Sequence, residues 1–448
     1  MKQRVLYGIL LTALALNLWA GVQVYHTNVT TATRDNPAAN EELFNLVLEK
    51  VHHDYVDRTN VAYRDLVYGA LKGMVNTLDP HSEFLDPEQY QQLQDDTEGT
   101  FGGLGVVIGL KDNHITVISP IEDSPGSRAG ILSGDRIIKV NGQSTEKWTL
   151  EDTVKDLRGE PGSEVVLTTM RPATGEVREL KLTRAIITVD MVKDINGQKE
   201  FPVDANGIGY VRIVQFSEKT SDELEAALQK LQSRHVRALV LDLRWNPGGL
   251  LEQAVKVCEK FLPRGRLVVT TEGRNPSQNS TYRAAGRGDE LVGPNGTPLP
   301  LVVLVNIGSA SAAEIVTGCL HDWKRAIVLG ETTFGKGSVQ TIDRLPDGSA
   351  LKLTMAKYYT PSHNVIHEHG ITPDVYVPMT DAEERDVLLK RTVGGVESLT
   401  PQDRDRVLAS HDVQLDRAED MLKGLMLYTK LEKNSAGPEP AENKMASR

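Results

Sequence analysis

Two short stretches of this chain hold side chains whose types and spacing could do chemistry. Ser309-Ala310-Ser311-Ala312-Ala313-Glu314 follows one apolar run, and Phe334-Gly335-Lys336-Gly337-Ser338-Val339-Gln340 follows another, so that Ser311 and Lys336 stand 25 residues apart (336 minus 311). A serine hydroxyl attacks a carbonyl only when a base takes its proton. Histidine usually does so, but a lysine forced neutral can serve as well. A lysine near its ordinary pKa would need that value lowered by about 2 to 3 to act near neutrality, which is roughly 3 to 4 kcal/mol of desolvation. The protein must therefore bury it. The sequence has no Gly-x-Ser-x-Gly elbow, and His321 falls on the predicted helix after Ser311 rather than in a partner loop, which disfavours a histidine base.

The elements that must position these residues can be read from periodicity. Residues 301–305 (Leu-Val-Val-Leu-Val) and 326–329 (Ala-Ile-Val-Leu) are continuous apolar runs, as in strands buried on both faces of a parallel sheet. Ile315, Val316, Cys319 and Leu320 recur at helical spacing, so Ser311 sits where a strand gives way to a helix. That position leaves backbone N–H groups unpaired beside the hydroxyl and puts the positive end of the helix dipole there, both useful to an oxyanion. Ala238 to Leu241 is another buried strand, running into Asp242-Leu243-Arg244-Trp245-Asn246-Pro247-Gly248-Gly249. Thr220 and Glu223 predict a capping box before Leu224, Leu228 and Leu231. Further strands are expected at 351–359 and 375–377.

These segments closely resemble the carboxy-terminal processing peptidases, or tail-specific proteases. Their pattern is Ser-Ala-Ser-Ala-x-Glu, then Phe-Gly-Lys-Gly-x-x-Gln, with an upstream Asp-Leu-Arg-x-Asn-x-Gly-Gly turn. The resemblance implies Ser311 as nucleophile, Lys336 as general base and Gln340 as the group that orients the amine. It also implies an oxyanion hole made by the Ala312 N–H with that of Gly248 or Gly249. The implied fold is a multi-domain α/β protein: a ClpP/crotonase-like peptidase core with an inserted, mostly β PDZ domain and flanking helical regions. No metal or other cofactor is implied.

Upstream, Phe101-Gly102-Gly103-Leu104-Gly105-Val106-Val107-Ile108 joins glycines to an apolar strand edge, the layout that captures a terminal carboxylate and adds a peptide strand. Residues 134–142 supply a strand ended by the Asn141-Gly142 turn. Both resemble a PDZ domain over residues 99–184, with Gly103, Leu104, Gly105 and Val106 on the substrate tail. Arg158, in Arg158-Gly159-Glu160-Pro161-Gly162, matches an arginine of related enzymes that hints at coupling between the PDZ position and the active site; a surface charge at the end of an element is the competing reading.

Composition fits a multi-unit globular enzyme. The chain has 448 residues, 40% of them apolar, enough for two or three cores. A net charge of −11 with no basic run argues against a nucleic-acid partner. Lys2 and Arg4 precede the nearly uncharged residues 5–22, whose 18 residues would span about 27 Å as helix. Positive-inside asymmetry puts the bulk of the chain on the extracytoplasmic, periplasmic side of an inner or plasma membrane. Leu18-Trp19-Ala20 is a poor cleavage site, favouring an uncleaved anchor over a signal peptide within residues 1–26. Residues 27–40 read as a linker and 41–98 as a helical region, with stripes at Leu43, Val47, Val51 and Tyr55 and at Leu66, Ala70, Leu71 and Met74. In the resembled family such a region joins dimer contacts, implying a homodimer and leaving room for an adaptor or regulator protein. The core is expected over 185–378, helices over 379–433 and a polar tail over 434–448. Cys258 and Cys319 read as small buried hydrophobes. His363, His367 and His369 are close enough for a metal, but they coincide with the family's Gly-Ile-x-Pro-Asp stretch (370–374), where none is expected. The sum predicts a serine endopeptidase that cleaves proteins near their carboxyl ends. The alternative is a PDZ-bearing adaptor that binds tails without cutting.

Overall fold

The computed structural model describes residues 36–435, apart from 112, 122, 173, 287, 289, 294, 295, 392–395 and 397–398. The chain divides into two compact units at Asp86 and Pro87. In the first, helix α1 (Pro37–Asp54), capped by Asn36, precedes α2 (Tyr63–Asn76) and a short strand β1 (Glu83–Leu85). Residues 37–40, expected in the linker, are therefore helical: Asn36 accepts the Ala38 N–H, and Pro37 has the φ a first helical position needs. Leu43, Val47 and Val51 of the predicted stripe lie on α1, Tyr55 is the extended residue that ends it, and no residue of the helix is buried.

The second unit begins with α3 (Pro87–Glu98) and β2 (Thr100–Gly103). An antiparallel sheet follows, made of β3 (Val106–Lys111), β4 (His114–Pro120), β5 (Arg136–Val140), β7 (Glu164–Arg171) and β8 (Glu176–Thr183) in that order, with β6 (Gln143–Ser144) pairing β5 across the Asn141-Gly142 turn. Helix α4 (Leu150–Leu157) has a complete capping box between Thr149 and Asp152, and its Leu157 joins Leu104, Ile115, Val117, Ile137, Val140, Val165 and Leu167 in one core. Strand β3 is at the edge of this sheet. Strand β9 (Ala185–Thr188) returns to pair with β2, Thr100 opposite Thr188 and Gly103 opposite Ala185, so entry and exit of the insert are zipped together.

Beyond it lies a six-stranded sheet in the order β10 (Val192–Lys193), β11 (Ile208–Ile213), β12 (Ala238–Asp242), β15 (Leu301–Val305), β16 (Ile327–Gly330), β19 (Val375–Tyr376). From β11 to β19 it is parallel, with Leu239 opposite Leu301 and Val303 opposite Val328. Alternate residues explain why these strands read as unbroken apolar runs: both faces are covered. Leu239, Leu241, Val303 and Val305 pack with α5 (Thr220–Ser233), α6 (Leu251–Glu259) and α7 (Ala312–Asp322), whereas Ala238, Val240, Val302 and Leu304 pack with Leu415, Ala418 and Leu422. Those last three lie on α10 (Val413–Ser435), which follows α8 (Asp381–Arg391) and α9 (Pro401–Ala409). Helix α10 runs through Ser435, into what was expected to be tail. A separate antiparallel sheet joins β14 (Ser280–Arg283), β13 (Leu267–Gly273), β18 (Ala350–Tyr359) and β17 (Ser338–Arg344) in that order.

The expected capping box at Thr220 and Glu223 does not form. Thr220 Oγ1 accepts from Ser217 N–H, and Glu223 Oε2 accepts the Met191 and Val192 N–H groups at β10. A strand edge in need of acceptors outcompetes the local cap. Cys258 and Cys319 are fully buried thiols on α6 and α7.

Candidate active site

Ser311 stands between β15 and α7 with φ 54° and ψ −115°. Such a backbone costs a non-glycine residue about 1 to 3 kcal/mol and persists only where its surroundings hold it. Here they do so from both sides. Ala310 N–H donates to the Asn246 carbonyl at 2.9 Å, and Ser309 Oγ donates to the Leu243 carbonyl at 2.7 Å, fastening this turn to the 242–249 turn. On the other side, the Phe334 N–H donates to the Ser309 carbonyl at 3.0 Å.

The strongest tie is one carboxylate. Glu314, fully buried in the first turn of α7, accepts from the Ser311 N–H (2.9 Å), Thr333 Oγ1 (2.5 Å), the Gly335 N–H (2.7 Å) and the Lys336 N–H (2.9 Å). The serine turn and the lysine loop thus share an acceptor. Burial pushes the Glu314 carboxyl up, and those donors oppose the shift. Glu314 was visible in the sequence motif, but nothing there assigned it a partner. Nothing in the sequence marks Tyr358, which is buried on β18. Its hydroxyl donates to the Lys336 carbonyl and lies beside the Ser311 hydroxyl, and burial followed by the Glu314 charge raises its pKa.

Lys336 is half-buried in this loop, less than the full burial expected of a lysine held neutral. Gly337 has to be glycine, since a Cβ there would come within 2.4 Å of the His367 backbone nitrogen. Segment 366–371 thus packs directly on the loop, and the Glu368 N–H donates to the Gly335 carbonyl at 2.8 Å. Gln340 Nε2 donates to Ser338 Oγ (2.9 Å) and Thr354 Oγ1 (3.1 Å), which leaves its carbonyl oxygen as the atom able to accept from an amine. His321 pairs with Asp374 at 3.1 Å and His363 stacks on Tyr359. Among the described residues no group of histidine, cysteine, aspartate and glutamate is arranged to hold a metal ion.

The two candidate oxyanion glycines differ. Gly248 is closest to the serine: a Cβ on it would lie 2.7 Å from Ser311 Cβ and 2.9 Å from the Ala312 nitrogen. Its N–H, however, donates to Asn246 Oδ1 at 2.8 Å. The N–H groups of Gly249 and of Ala312 have no acceptor among the described residues.

In the inserted domain the Leu104 and Gly105 carbonyls are tied inward, to the Gly126 N–H (2.8 Å) and to the Ile121 N–H (2.7 Å) with Ser124 Oγ (3.0 Å). Their own N–H groups have no acceptor among the described residues. Gly103 ends β2, and Val106 opens β3 at the sheet edge. Arg158 caps the end of α4, where its guanidinium pairs with Asp96 at 3.0 Å and lies 4.6 Å from the Phe101 ring centroid.

Residues 207–377 match Peptidase family S41 and residues 92–170 match the PDZ domain. The carboxy-terminal-processing protease of Bartonella bacilliformis is 38% identical over 423 residues, covering 91% of this chain and 94% of that protein. The carboxy-terminal processing protease CtpA of Bacillus subtilis is 37% identical over 338 residues, covering 75% of this chain and 69% of that protein. The solved photosystem II D1 C-terminal processing protease is 30% identical, covering 79% of this chain and 97% of that one, with a TM-score of 0.43. The two domain matches and the Bartonella and Bacillus relatives make the chain a serine-type peptidase with an inserted PDZ domain. It belongs to peptidase family S41, among the carboxy-terminal processing proteases.

Proposed function

We propose that the chain is an endopeptidase that cuts other proteins near their carboxyl ends, with Ser311 Oγ as nucleophile and Lys336 as its base. The observation that carries this is the Glu314 carboxylate, which accepts from the backbone of both residues at 2.9 Å. Neutral Lys336 takes the hydroxyl proton as Oγ attacks the scissile carbonyl, and the ammonium then protonates the leaving amine. The acyl-enzyme on Ser311 is released by water, which Lys336 deprotonates in turn. Gln340 orients the amine through its carbonyl oxygen. The Ala312 and Gly249 N–H groups receive the oxyanion, since the Gly248 N–H is already committed to Asn246. No cofactor takes part.

The PDZ unit, taken as residues 99–184, holds the free carboxylate of the substrate on the Leu104 and Gly105 N–H groups, flanked by Gly103 and Val106, and adds the tail as a strand on β3 beside α4. Arg158 ties the end of α4 to Asp96 and Phe101, a contact suited to coupling the PDZ position to the peptidase. Ser311→Ala and Lys336→Ala should each abolish cleavage in a protein that still melts cooperatively, and a fluorophosphonate probe should label wild type at Ser311 alone. Cleavage surviving Lys336→Ala but lost with His321→Ala would replace the dyad by a histidine mechanism.

Residues 5–22 anchor the chain on the extracytoplasmic side of a membrane; the charges at Lys2 and Arg4 and the length of the apolar run support this. They lie outside the described residues; among the described residues no helix is long and apolar enough to cross a membrane. Peptide sequencing of the mature amino end tests the anchor, and a chain starting at or after Gly21 would show a cleaved signal. Helix α1 supports a homodimer, because Leu43, Phe44, Leu46 and Val47 are all exposed on it.

A further inference from the structure

One buried polar cluster takes no part in this mechanism, and it lies directly before the turn that carries Gly248 and Gly249. All five N–H groups of the Arg244 guanidinium are matched. Nε donates to Asp242 Oδ1 (3.0 Å), Nη1 to Asp412 Oδ1 (2.9 Å) and Gln414 Oε1 (3.0 Å), and Nη2 to Asp242 Oδ2 (2.6 Å) and Asp412 Oδ2 (2.9 Å). Arg391, the last residue of α8, donates to Asp242 Oδ2 (2.8 Å) and the Tyr210 hydroxyl (2.7 Å), and its other Nη donates to Asp412. Two carboxylates and two guanidiniums are thus paired inside the protein, with a third guanidinium, that of Arg212, lining the same cavity. Arg391, Asp412 and Gln414 all lie beyond the residues that match the peptidase family.

Helix α8 reaches the site a second time. Glu384 Oε1 accepts from Asn306 Nδ2 at 3.1 Å, while Asn306 Oδ1 accepts from the Trp245 N–H (2.9 Å) and the Gly308 N–H (3.1 Å). Asn306 thus spans the glycine turn and the serine turn, and α8 holds Asn306. The glycine turn is fixed by directional bonds at Arg244 and Trp245, a few residues before the oxyanion donor.

We infer that Asp412 and Arg391 are positioning residues for the oxyanion donors: Asp412 acting through Arg244, and Arg391 through the carboxylates of Asp242 and Asp412, hold the 242–249 turn in register with Ser311, which makes the C-terminal helices a working part of the active site. The inference rests on the reading of Ser311 and Gly249 given above. Buried charges keep one geometry only while each is paired. A displacement of about 1 Å in a reacting group costs on the order of 100-fold in rate.

Asp412→Asn alone leaves two guanidiniums on one carboxylate and is expected to unfold the protein. The informative variant is Arg391→Met with Asp412→Leu, which removes one charge of each sign and keeps the Asp242–Arg244 pair. Melting temperature, kcat and KM on a peptide, and the Kd of a peptide boronate that forms a tetrahedral adduct on the serine are measured together. The folded variant should keep KM within about twofold while kcat and boronate affinity both fall by about 10- to 100-fold. A lower melting temperature with kcat and boronate affinity within about twofold of wild type would reduce the cluster to a stabilising role and overturn the inference. Glu384→Ala removes a single half-buried acceptor and tests the same brace more mildly: a fall of about 3- to 10-fold in kcat and boronate affinity is expected, scaled down from loss of a whole donor, and no change overturns it. A wild-type protein that neither cleaves peptide nor binds boronate would instead refute the catalytic reading beneath it.

Discussion

The two regions assigned to substrate satisfy their backbones in opposite ways. Around Ser311 and Lys336 the turns are closed by buried acceptors, with the Gly249 and Ala312 N–H groups left open between them: Glu314 takes four donors, Asn246 fastens Gly248 and Ala310, and Asp242 fastens Arg244. In the PDZ unit the loop before β3 leaves the Leu104 and Gly105 N–H groups open, β3 lies at a sheet edge, and Val107 and Leu110 are exposed on it. An unpaired edge is normally a hazard that folds protect against. Chemistry needs atoms fixed to fractions of an ångström, which buried directional bonds supply. Recognition of a strand needs the reverse, an edge with its hydrogen bonds left to offer.

The comparison breaks most sharply at Glu314. Glu314→Gln keeps the size of the side chain but turns one end into a donor facing donors, so at least one buried N–H or hydroxyl loses its acceptor, at about 1 to 3 kcal/mol each. The serine turn and the lysine loop then lose their common anchor. We expect kcat to fall by about 100-fold or more with a lower melting temperature. If the melting temperature falls but kcat stays within threefold, the carboxylate supports the fold without aligning the two loops.

The open side is sharpened by the tail itself. A peptide with an amidated end cannot accept the charge-assisted hydrogen bonds of the Leu104 and Gly105 N–H groups. Capture should weaken by roughly 1.5 to 3 kcal/mol, about 10- to 150-fold. Cleavage of free and amidated versions of one peptide, by the intact enzyme and by a variant lacking residues 99–184, measures this. Equal rates in the intact enzyme would leave the PDZ unit a structural or regulatory insert.

Local pattern made much of this legible and tertiary pairing hid the rest. The strands around Ser311 could be read because both faces are buried, so Leu301 to Val305 carries no polar interruption. The Asn141-Gly142 turn and the first turn of α7 follow from their own few residues. Glu314 stood in plain view, but its bonds to Gly335 and Lys336 reach 21 and 22 residues onward. Nothing local in the sequence marks Arg391 or Asp412, because their partners lie 149 and 168 residues away. Glu223 shows the converse: its sequence context predicted a cap, and a strand 31 residues upstream took the carboxylate instead.

The smallest expected effect concerns acid. Burial pushes the Asp412 carboxyl up, but Arg244 and then Arg391 more than reverse this and hold it below the usual carboxylate range; Asp242 behaves alike. A carboxylate with a depressed folded pKa contributes its stability in full above the unfolded value, about 3.9, and loses it as pH falls through the folded value. Between the two, unfolding takes up a proton that the native state does not hold, and stability drops by about 1.4 kcal/mol per pH unit for each such group. For domains of about 150 to 250 residues that is about 2 to 4 °C of melting temperature per kcal/mol, and less for a larger unit. The Arg391→Met, Asp412→Leu variant lacks one of the two carboxylates. Its melting temperature should therefore decline less steeply than that of wild type below about pH 4, and the two should run parallel from pH 5 to 7. Melting curves at pH 7, 5, 4 and 3 decide it. Parallel curves throughout would mean that Asp412 titrates alike in the folded and unfolded chain, so that its pairing with the two arginines does not operate in solution.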